Sequence, residues 1–578
     1  MRPWERPGVD EVAKLLHGNE SVVFVAPTGY GKSKSVPRIL EEATRAGIAE
    51  RVIHVLPLRA LVEQQYWFLR GELGSAAGYL AGLRLGGDDY SGFMLRRAVV
   101  STLDSFSLNL SRLSVAELGG VLSGVFEGHY ELPRAAIFTS VTVLDEAHLY
   151  AEPWAEKEPL SRRFMDVALR VLSGSRVPLV VETATMPSSL LARVVNNTGA
   201  RVVAVCRDCC KKYGLHGCHG VLDRVYEEEH DLRWITVLEK DKVSALDTGL
   251  SYAEGGRRVL VVANTVRGAI QAYEYIVGRM GCSRDVVLVH GRLGRSDREK
   301  ALEAMKKAKV IVATQVIEAG VDVDAEILVT EAAAPSSLAQ RAGRLCRSKE
   351  TLAKCQSEPP LVVIYPPGDR PYGESAREAY KEAKRILEKG ARIEWRLLDD
   401  TRRCQVVYKS FASLVESIEG RRALGRTSHR GPGYELLAYL AMSSVLGSPG
   451  PAKKLVESFC SLVRDTGLVS LAIPQGDGKG YDVLETSLSL IQVMGGEKLL
   501  WCDNGACKVL VQGYGNVPVE AVIEVTRDRL VKALSSCRDY VRSYPRIVAE
   551  ASKEAGIRGA QVLPLVKPGR YRSGIGLV

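Results

Sequence analysis

The run Ala26–Ser33 reads APTGYGKS, and it constrains the chain more than any other stretch. Gly29 and Gly31 lack the Cβ that would forbid a tight, left-handed loop. Such a loop can aim its N–H groups inward at phosphate oxygens. Lys32 supplies a point charge for the β- and γ-phosphates, and the Ser33 hydroxyl is of the type that ligates Mg²⁺. The preceding SVVFVA (Ser21–Ala26) is apolar and β-branched and predicts a buried parallel strand. A helix beginning after Ser33 would turn its N-terminal dipole toward the anion. Strand, loop and helix together predict a nucleoside triphosphate site inside an α/β sheet.

The chain has 578 residues, a length that suggests about three to four domains. Hydrophobic residues make up 46% and charged residues 25%, enough to bury large cores. No stretch of apolar residues is long enough for a transmembrane helix. The opening MRPWERPGVDEV has no apolar core and is not a signal peptide. The expectation is a cytoplasmic protein with no membrane contact. The net charge of +10 fits a phosphate-bearing partner without requiring one. Only 7 Asn and 11 Gln stand among many charged residues, as in proteins that must resist heat. The 12 cysteines would ordinarily be reduced in a cytosol, with hyperthermophiles as the exception.

Apolar strands alternate with amphipathic segments from residue 21 to about 205, with strands expected at Val22–Ala26, Val52–Leu56, Ala98–Ser101, Val141–Asp145 and Leu179–Thr183. The pattern restarts at about Arg233, with strands at Arg258–Ala263, Val286–His290, Lys309–Thr314, Ile327–Glu331 and Leu361–Tyr365. This predicts an α/β fold: two tandem doubly wound parallel-sheet domains followed by a mixed C-terminal accessory domain. The expected boundaries are 1–205, a Cys/His-rich connection over 206–232, 233–368, a helical linker over 369–404 containing the charged Gly373–Gly390, and 405–578.

Two runs carry the chemistry. SVTVLDEAHLY (Ser140–Tyr150) places Asp145 and Glu146 at the carboxyl end of a buried strand, where open α/β sheets bind ligands. Asp145 is the candidate Mg²⁺ holder, and Glu146 the candidate base for an attacking water. Phosphoryl transfer also needs positive charge where negative charge spreads in the transition state. The second domain offers SLAQRAGRLCR (Ser337–Arg347), whose Arg341, Arg344 and Arg347 would share one broad face of a helix. Arg344 and Arg347 are expected to reach across the cleft to the γ-phosphate, with Gln340 beside them. A cleft that closes on ATP and opens after hydrolysis can walk along a polymer.

At this point the chain resembles superfamily 2 helicases with two RecA-like domains, of the DEAH-lettered kind. APTGYGKS resembles motif I, LPLRALVEQ (Leu56–Gln64) motif Ia, VVSTLDS (Val99–Ser105) a later DNA-contacting motif, DEAH (Asp145–His148) motif II and TAT (Thr183–Thr185) motif III. VVANTV (Val261–Val266) resembles motif IV, ATQVIEAGVDVD (Ala313–Asp324) motif V and QRAGRLCR motif VI. They follow the family's order over about residues 20–350. The finer resemblance is to the CRISPR-associated helicase of type I interference systems.

The resemblance implies a set of site residues. Thr28, Gly29, Gly31, Lys32, Ser33, Asp145, Gly320 and Asp322 would bind ATP, with Mg²⁺ on Ser33 and Asp145. Glu146, Lys32, Gln340, Arg344 and Arg347 would be catalytic. It also implies translocation on single-stranded DNA, 3′ to 5′, by a monomeric motor recruited to a crRNA-guided surveillance complex. Many family members carry an HD-type nuclease at the N-terminus. Here only about 20 residues precede the phosphate loop, and His230–Asp231 lacks further metal ligands. The nuclease is therefore expected on a separate subunit. Related helicases often place a glutamine upstream of motif I, and the stretch RPWERPGVDEV has none.

Arg59, Thr102, Thr265 and Thr314 sit at strand ends, where sequence-independent backbone contacts are made; helix capping is the structural alternative for the threonines. CRDCCKKYGLHGCH (Cys206–His219) has a Cys-x-x-Cys spacing that suits structural zinc on Cys206 and Cys209, completed by Cys218, His216 or His219, with Cys218 and His219 the set expected here and disulfides or free thiols as the rival reading. CDNGAC (Cys502–Cys507) reads as a hairpin turn flanked by cysteines. The alternative functions are a DEAH-lettered helicase of DNA repair or RNA processing, and a nucleic-acid-stimulated ATPase that remodels a complex without separating strands.

Overall fold

The computed structural model describes residues 5–81, 89–114, 129, 131–155, 158–206, 209–210, 217–281, 283–318, 323–398, 408–423, 461–464, 467–475, 480–513, 520–557 and 560–577. The chain divides into two compact units: Met1–Ala116 with Gly128–Val286 and Ala308–Ser443, and Glu117–Glu127 with Val287–Lys307 and Ser444–Val578.

The first unit holds two parallel sheets. In chain order the strands of the first are β1 Val22–Val25, β2 Val52–Leu56, β3 Ala77–Leu80, β4 Ala98–Thr102, β5 Val141–Leu144, β6 Leu179–Thr183, β7 Arg201–Ala204 and β8 Cys218–Gly220. They lie in the order β3-β4-β2-β5-β6-β1-β7-β8. All five strands expected in this domain form, within a residue of their expected ends. β1 is buried along its whole length between β6 and β7, with Val22 opposite both Val180 and Arg201. A run of four apolar residues fits only such a two-sided core position. β8 falls inside the segment read as a connection. It instead extends the first sheet by pairing with β7.

The second sheet follows with β9 Ile235–Leu238, β10 Val259–Val262, β11 Val286–Val289, β12 Val310–Ala313, β13 Ile327–Glu331 and β14 Leu361–Tyr365. Within the first unit its parallel order is β12-β10-β13-β14-β9. The helix Lys242–Glu254 lies against β10 and β13 at Gly249, where an added Cβ would stand 2.6 Å from the Val329 side chain. The charged linker helix forms over Gly373–Glu388. Phe411–Gly420 caps the same unit: Glu416 accepts from Ser188 N and Oγ, and Glu419 from Ser336 N and Oγ. This stretch therefore packs with the α/β domains rather than with the accessory domain expected from residue 405.

The second unit builds its own core. Leu468–Pro474 pairs antiparallel with Tyr481–Ser487, and Ala506–Gln512 pairs with both Glu520–Thr526 and Gln561–Pro564. Leu471, Leu484, Val509, Val511 and Leu530 are buried together with Ile547 of the helix Cys537–Glu554. CDNGAC forms the expected hairpin: Asp503 pairs Ala506 across a two-residue turn with Asn504 and Gly505 both at positive φ, and Cys502 is disulfide-bonded to Cys507. Among the described residues no helix is long and apolar enough to cross a membrane.

Gly249→Leu should force helix and strand apart and destabilise the first unit by about 1–3 kcal/mol. A lowered thermal midpoint with unchanged unfolding of the second unit is the expected result.

Candidate nucleotide site

Between β1 and the helix Val36–Arg45 the backbone makes the loop that the sequence demands. Gly29 and Gly31 take φ of 81° and 107°, values that a side chain would strain. The Lys32 ammonium is buried and donates to the Ala26 and Pro27 carbonyls at 3.0 and 3.1 Å. Gln65 Nε2 donates to the Ser33 carbonyl, tying the motif Ia helix to the loop. Ser35 Oγ donates to Glu182 on β6.

DEAH stands at the carboxyl end of β5. Asp145 is fully buried. Burial alone would raise its pKa, but His54, the Ser33 hydroxyl and Lys32 hold it below the usual range. Asp145 Oδ2 lies 3.3 Å from His54 Nε2, and Oδ1 accepts from Glu146 N at 2.8 Å. An ionised carboxylate beside a hydroxyl is a hard oxygen donor set that fits Mg²⁺. His54, Asp145 and Glu182 also place ligand-type atoms within 4.8 Å of one another. Glu146 adopts φ of 48°, a left-handed value that costs energy in a non-glycine residue and marks functional loops. Its pKa is raised, by burial first and by Asp145. The charges of Lys32, Arg344 and Arg347 act against that rise. His148 is pushed down to about 3, by burial and then by Lys32, and is neutral. It lies 3.3 Å from Thr183 Oγ1 of motif III and 3.5 Å from Gln340 Nε2 of motif VI.

The second α/β domain meets this site through motif VI, with one correction to the expected arginine face. The helix Pro335–Ala342 ends before Arg344, so Arg341, Arg344 and Arg347 do not share a helical surface. Arg341 is buried and bonded to Glu318 Oε1, Thr330 Oγ1, the Glu331 carbonyl and Asn264 Oδ1 at 2.8–3.0 Å. It joins motifs IV, V and VI into one piece. Arg344 and Arg347 follow the helix on a turn closed by Cys346 at φ 53°. Arg344 donates to the Glu318 carbonyl at 2.5 Å. At the helix end, a Cβ on Gly343 would stand 2.4 Å from Thr28 Oγ1. Glycine there is what lets motif VI touch the phosphate loop.

Five further residues shape the site beyond those that the motifs mark: Arg396, Tyr226, Tyr30, Asp223 and His54. Arg396, fully buried, donates to the Leu345 and Cys346 carbonyls and so holds the turn that carries Arg344 and Arg347. Tyr226 donates to the Thr28 carbonyl at 3.0 Å, and Tyr30 to Asp223 at 2.9 Å. Asp223 also caps the Tyr226 helix, a signal visible in the run DRVYEEE. His54, Arg396 and Tyr226 carry no local signature; only the tertiary fold gives them a partner.

Thr102 and Thr265 cap helices, accepting from Ser105 N and Gly268 N, which is the structural alternative stated for them. Thr314 is buried at the end of β12, and Arg59 opens the helix Arg59–Leu73. His216, Gly320 and Asp322 lie outside the described residues. For the cysteines the rival reading holds. Cys206 is bonded to Cys209 and Cys210 to Cys218, while His219 pairs with Glu11. Cys206, Cys209 and Cys218 then have no thiolate to offer zinc.

The two kinds of arginine separate experimentally. Arg341→Ala leaves Glu318 buried without its cation and should cost about 3–5 kcal/mol of stability. A denaturation midpoint indistinguishable from that of the parent chain would contradict the hub geometry.

A DEAD/DEAH box helicase model matches residues 7–193, and a model of the CRISPR-associated nuclease/helicase Cas3 C-terminal region matches 255–350. The CRISPR-associated helicase Cas3 of Thermoproteus tenax is 23% identical over 560 residues, covering 92% of this chain and 85% of that protein. The CRISPR-associated nuclease/helicase Cas3 of Methanothermobacter thermautotrophicus is 25% identical over 390 residues, 64% of this chain and 42% of its own. The T. fusca Cas3–AMPPNP crystal structure aligns with a TM-score of 0.54 at 17% identity, over 82% of this chain and 60% of that one. A chain of a pre-nicking CRISPR RNA-guided surveillance complex aligns at 0.50 and 17%, over 81% and 58%. The chain thus spans less than two thirds of these solved chains, and the structural likeness speaks to the fold. Residues 7–193 are thus similar to a DEAD/DEAH box helicase domain and residues 255–350 to the Cas3 C-terminal region, in agreement with the motif order and the paired parallel sheets.

Proposed function

We propose that this chain is an ATP-dependent translocase and helicase on single-stranded DNA that acts in CRISPR type I interference. It moves 3′ to 5′, is recruited to a crRNA-guided surveillance complex and relies on a nuclease carried by a separate subunit. The observation that carries the motor reading is the meeting of the two α/β domains at the phosphate loop: Gln340 Nε2 of one lies 3.5 Å from His148 Nε2 of the other, and a Cβ on Gly343 would stand 2.4 Å from Thr28 Oγ1. The likeness to a chain of a surveillance complex supports the recruitment.

In this reading Lys32 and the loop amides hold the phosphates. Ser33 and Asp145 would hold Mg²⁺, which would supply positive charge to the phosphates when bound. Glu146 accepts the proton of the attacking water; its raised pKa suits a base. Arg344 and Arg347 stabilise charge on the transferred group. Gln340, through neutral His148, links that event to Thr183 of motif III. Loss of the γ-phosphate removes an anion that both domains share, so the cleft loosens once per turnover.

ATP turnover should rise with single-stranded DNA more than with duplex or RNA, and a duplex with a 3′ tail should be unwound in preference to one with a 5′ tail. Lys32→Ala and Glu146→Gln should abolish turnover with an intact fold. Arg344→Ala should cost on the order of 10³-fold in turnover with little loss of nucleotide binding. Turnover without strand displacement would leave the remodelling ATPase as the better reading.

A further inference from the structure

The second unit carries a concave basic site that the motor does not use. The strand Gln561–Pro564 runs into the turn Lys567-Pro568-Gly569-Arg570. Arg570 N donates to the Lys567 carbonyl at 3.1 Å, and Gly569 has φ of 84°. Proline second and glycine third at positive φ make this a type II turn. It is pinned from both ends: Lys567 N donates to the Leu499 carbonyl at 2.8 Å, and Arg570 Nε to the Lys498 carbonyl at 3.1 Å. These bonds fix the Arg570 side chain and the backbone from which Lys498 and Lys567 project.

These three line a cavity of about 440 Å³ together with Arg527. Arg527 is paired with Glu497, the one carboxylate in the lining. Among the described residues no carboxylate pairs with Lys498, Lys567 or Arg570. Like charges held around one concavity repel, and an anion bound there relieves the repulsion. The lining has no aromatic side chain, and its apolar part is Pro568 and the disulfide-bonded Cys502. A nucleobase would find no platform to stack on. A phosphodiester needs only the cations.

We propose that this cavity is a backbone-phosphate site for the single-stranded DNA on which the motor moves; the assignment of DNA rests on the helicase reading above. It gives the strand a sequence-independent hold outside the two α/β domains.

The test uses the full chain, a fluorescent oligothymidylate and a salt titration followed by anisotropy. The variant is K567Q/R570Q, with Lys498→Gln made separately so that a folding failure in one does not decide the matter. Removing two phosphate contacts should weaken binding about tenfold at moderate salt and flatten the log–log salt slope by about 1.4. Turnover without nucleic acid should stay unchanged. A wild-type slope in both variants overturns the site. A loss confined to an oligouridylate probe overturns the assignment of DNA. If the parent chain neither binds DNA nor is stimulated by it, the helicase reading fails and takes this site with it. If the parent is stimulated and the variants bind as it does, only the cavity is wrong.

Discussion

The structure turns on one buried carboxylate that is faced by cations from two domains. Glu146 stands in a buried cleft on strained backbone, beside the anionic Asp145, and both burial and that neighbour disfavour its charge. Lys32 opposes them from the same domain, while Arg344 and Arg347 oppose them from the other. On the proposed reading, hydrolysis uses Glu146 as proton acceptor and cations where phosphate charge spreads, and the same groups answer both demands. The site is therefore a property of the closed pair of domains.

Each domain contributes stiffness below the site. Under the phosphate loop, His54 is set against Asp145, and Ser35 against Glu182, all without contact with water. In the second domain Arg341 fastens Asn264, Glu318 and Thr330 into one block. Arg396 then holds the turn beyond the helix by its carbonyls. Neutral His148 lies between Thr183 and Gln340, so a shift in either domain is felt at DEAH. Buried polar networks of this sort transmit displacement because they have few alternative arrangements.

Much of this was legible in the chain. Central strands are continuous apolar runs, and β2, β6, β13 and β14 begin and end where the pattern says they should. β3, β8 and β9 are edge strands, and β3 (AGYL) and β8 (CHG) hold no β-branched residue to mark them; length does not explain the miss, since β1 and β5 are also four residues long. The phosphate loop and DEAH are readable because their chemistry is local. The arginine spacing misled: residues three apart imply a helix face only if the helix continues, and Gly343 ends it. Tyr226 and Arg396 lie about 200 and 370 residues from the phosphate loop they help to frame, so no window of sequence could pair them with it. The Cys206–His219 spacing admits both zinc and disulfides, and only the pairing in space decides.

The central claim is that the domains must close to within contact for hydrolysis. At Gly343 an added Cβ would stand 2.4 Å from Thr28 Oγ1, and the residue's own φ of −62° is open to any side chain. Gly343→Val therefore adds bulk against Thr28 without straining the backbone. Measured side by side, binding of a non-hydrolysable ATP analogue should persist, while single-turnover hydrolysis should fall by at least about 100-fold, as expected when positioned transition-state charge is withdrawn. Hydrolysis at the parent rate in that variant would contradict the account.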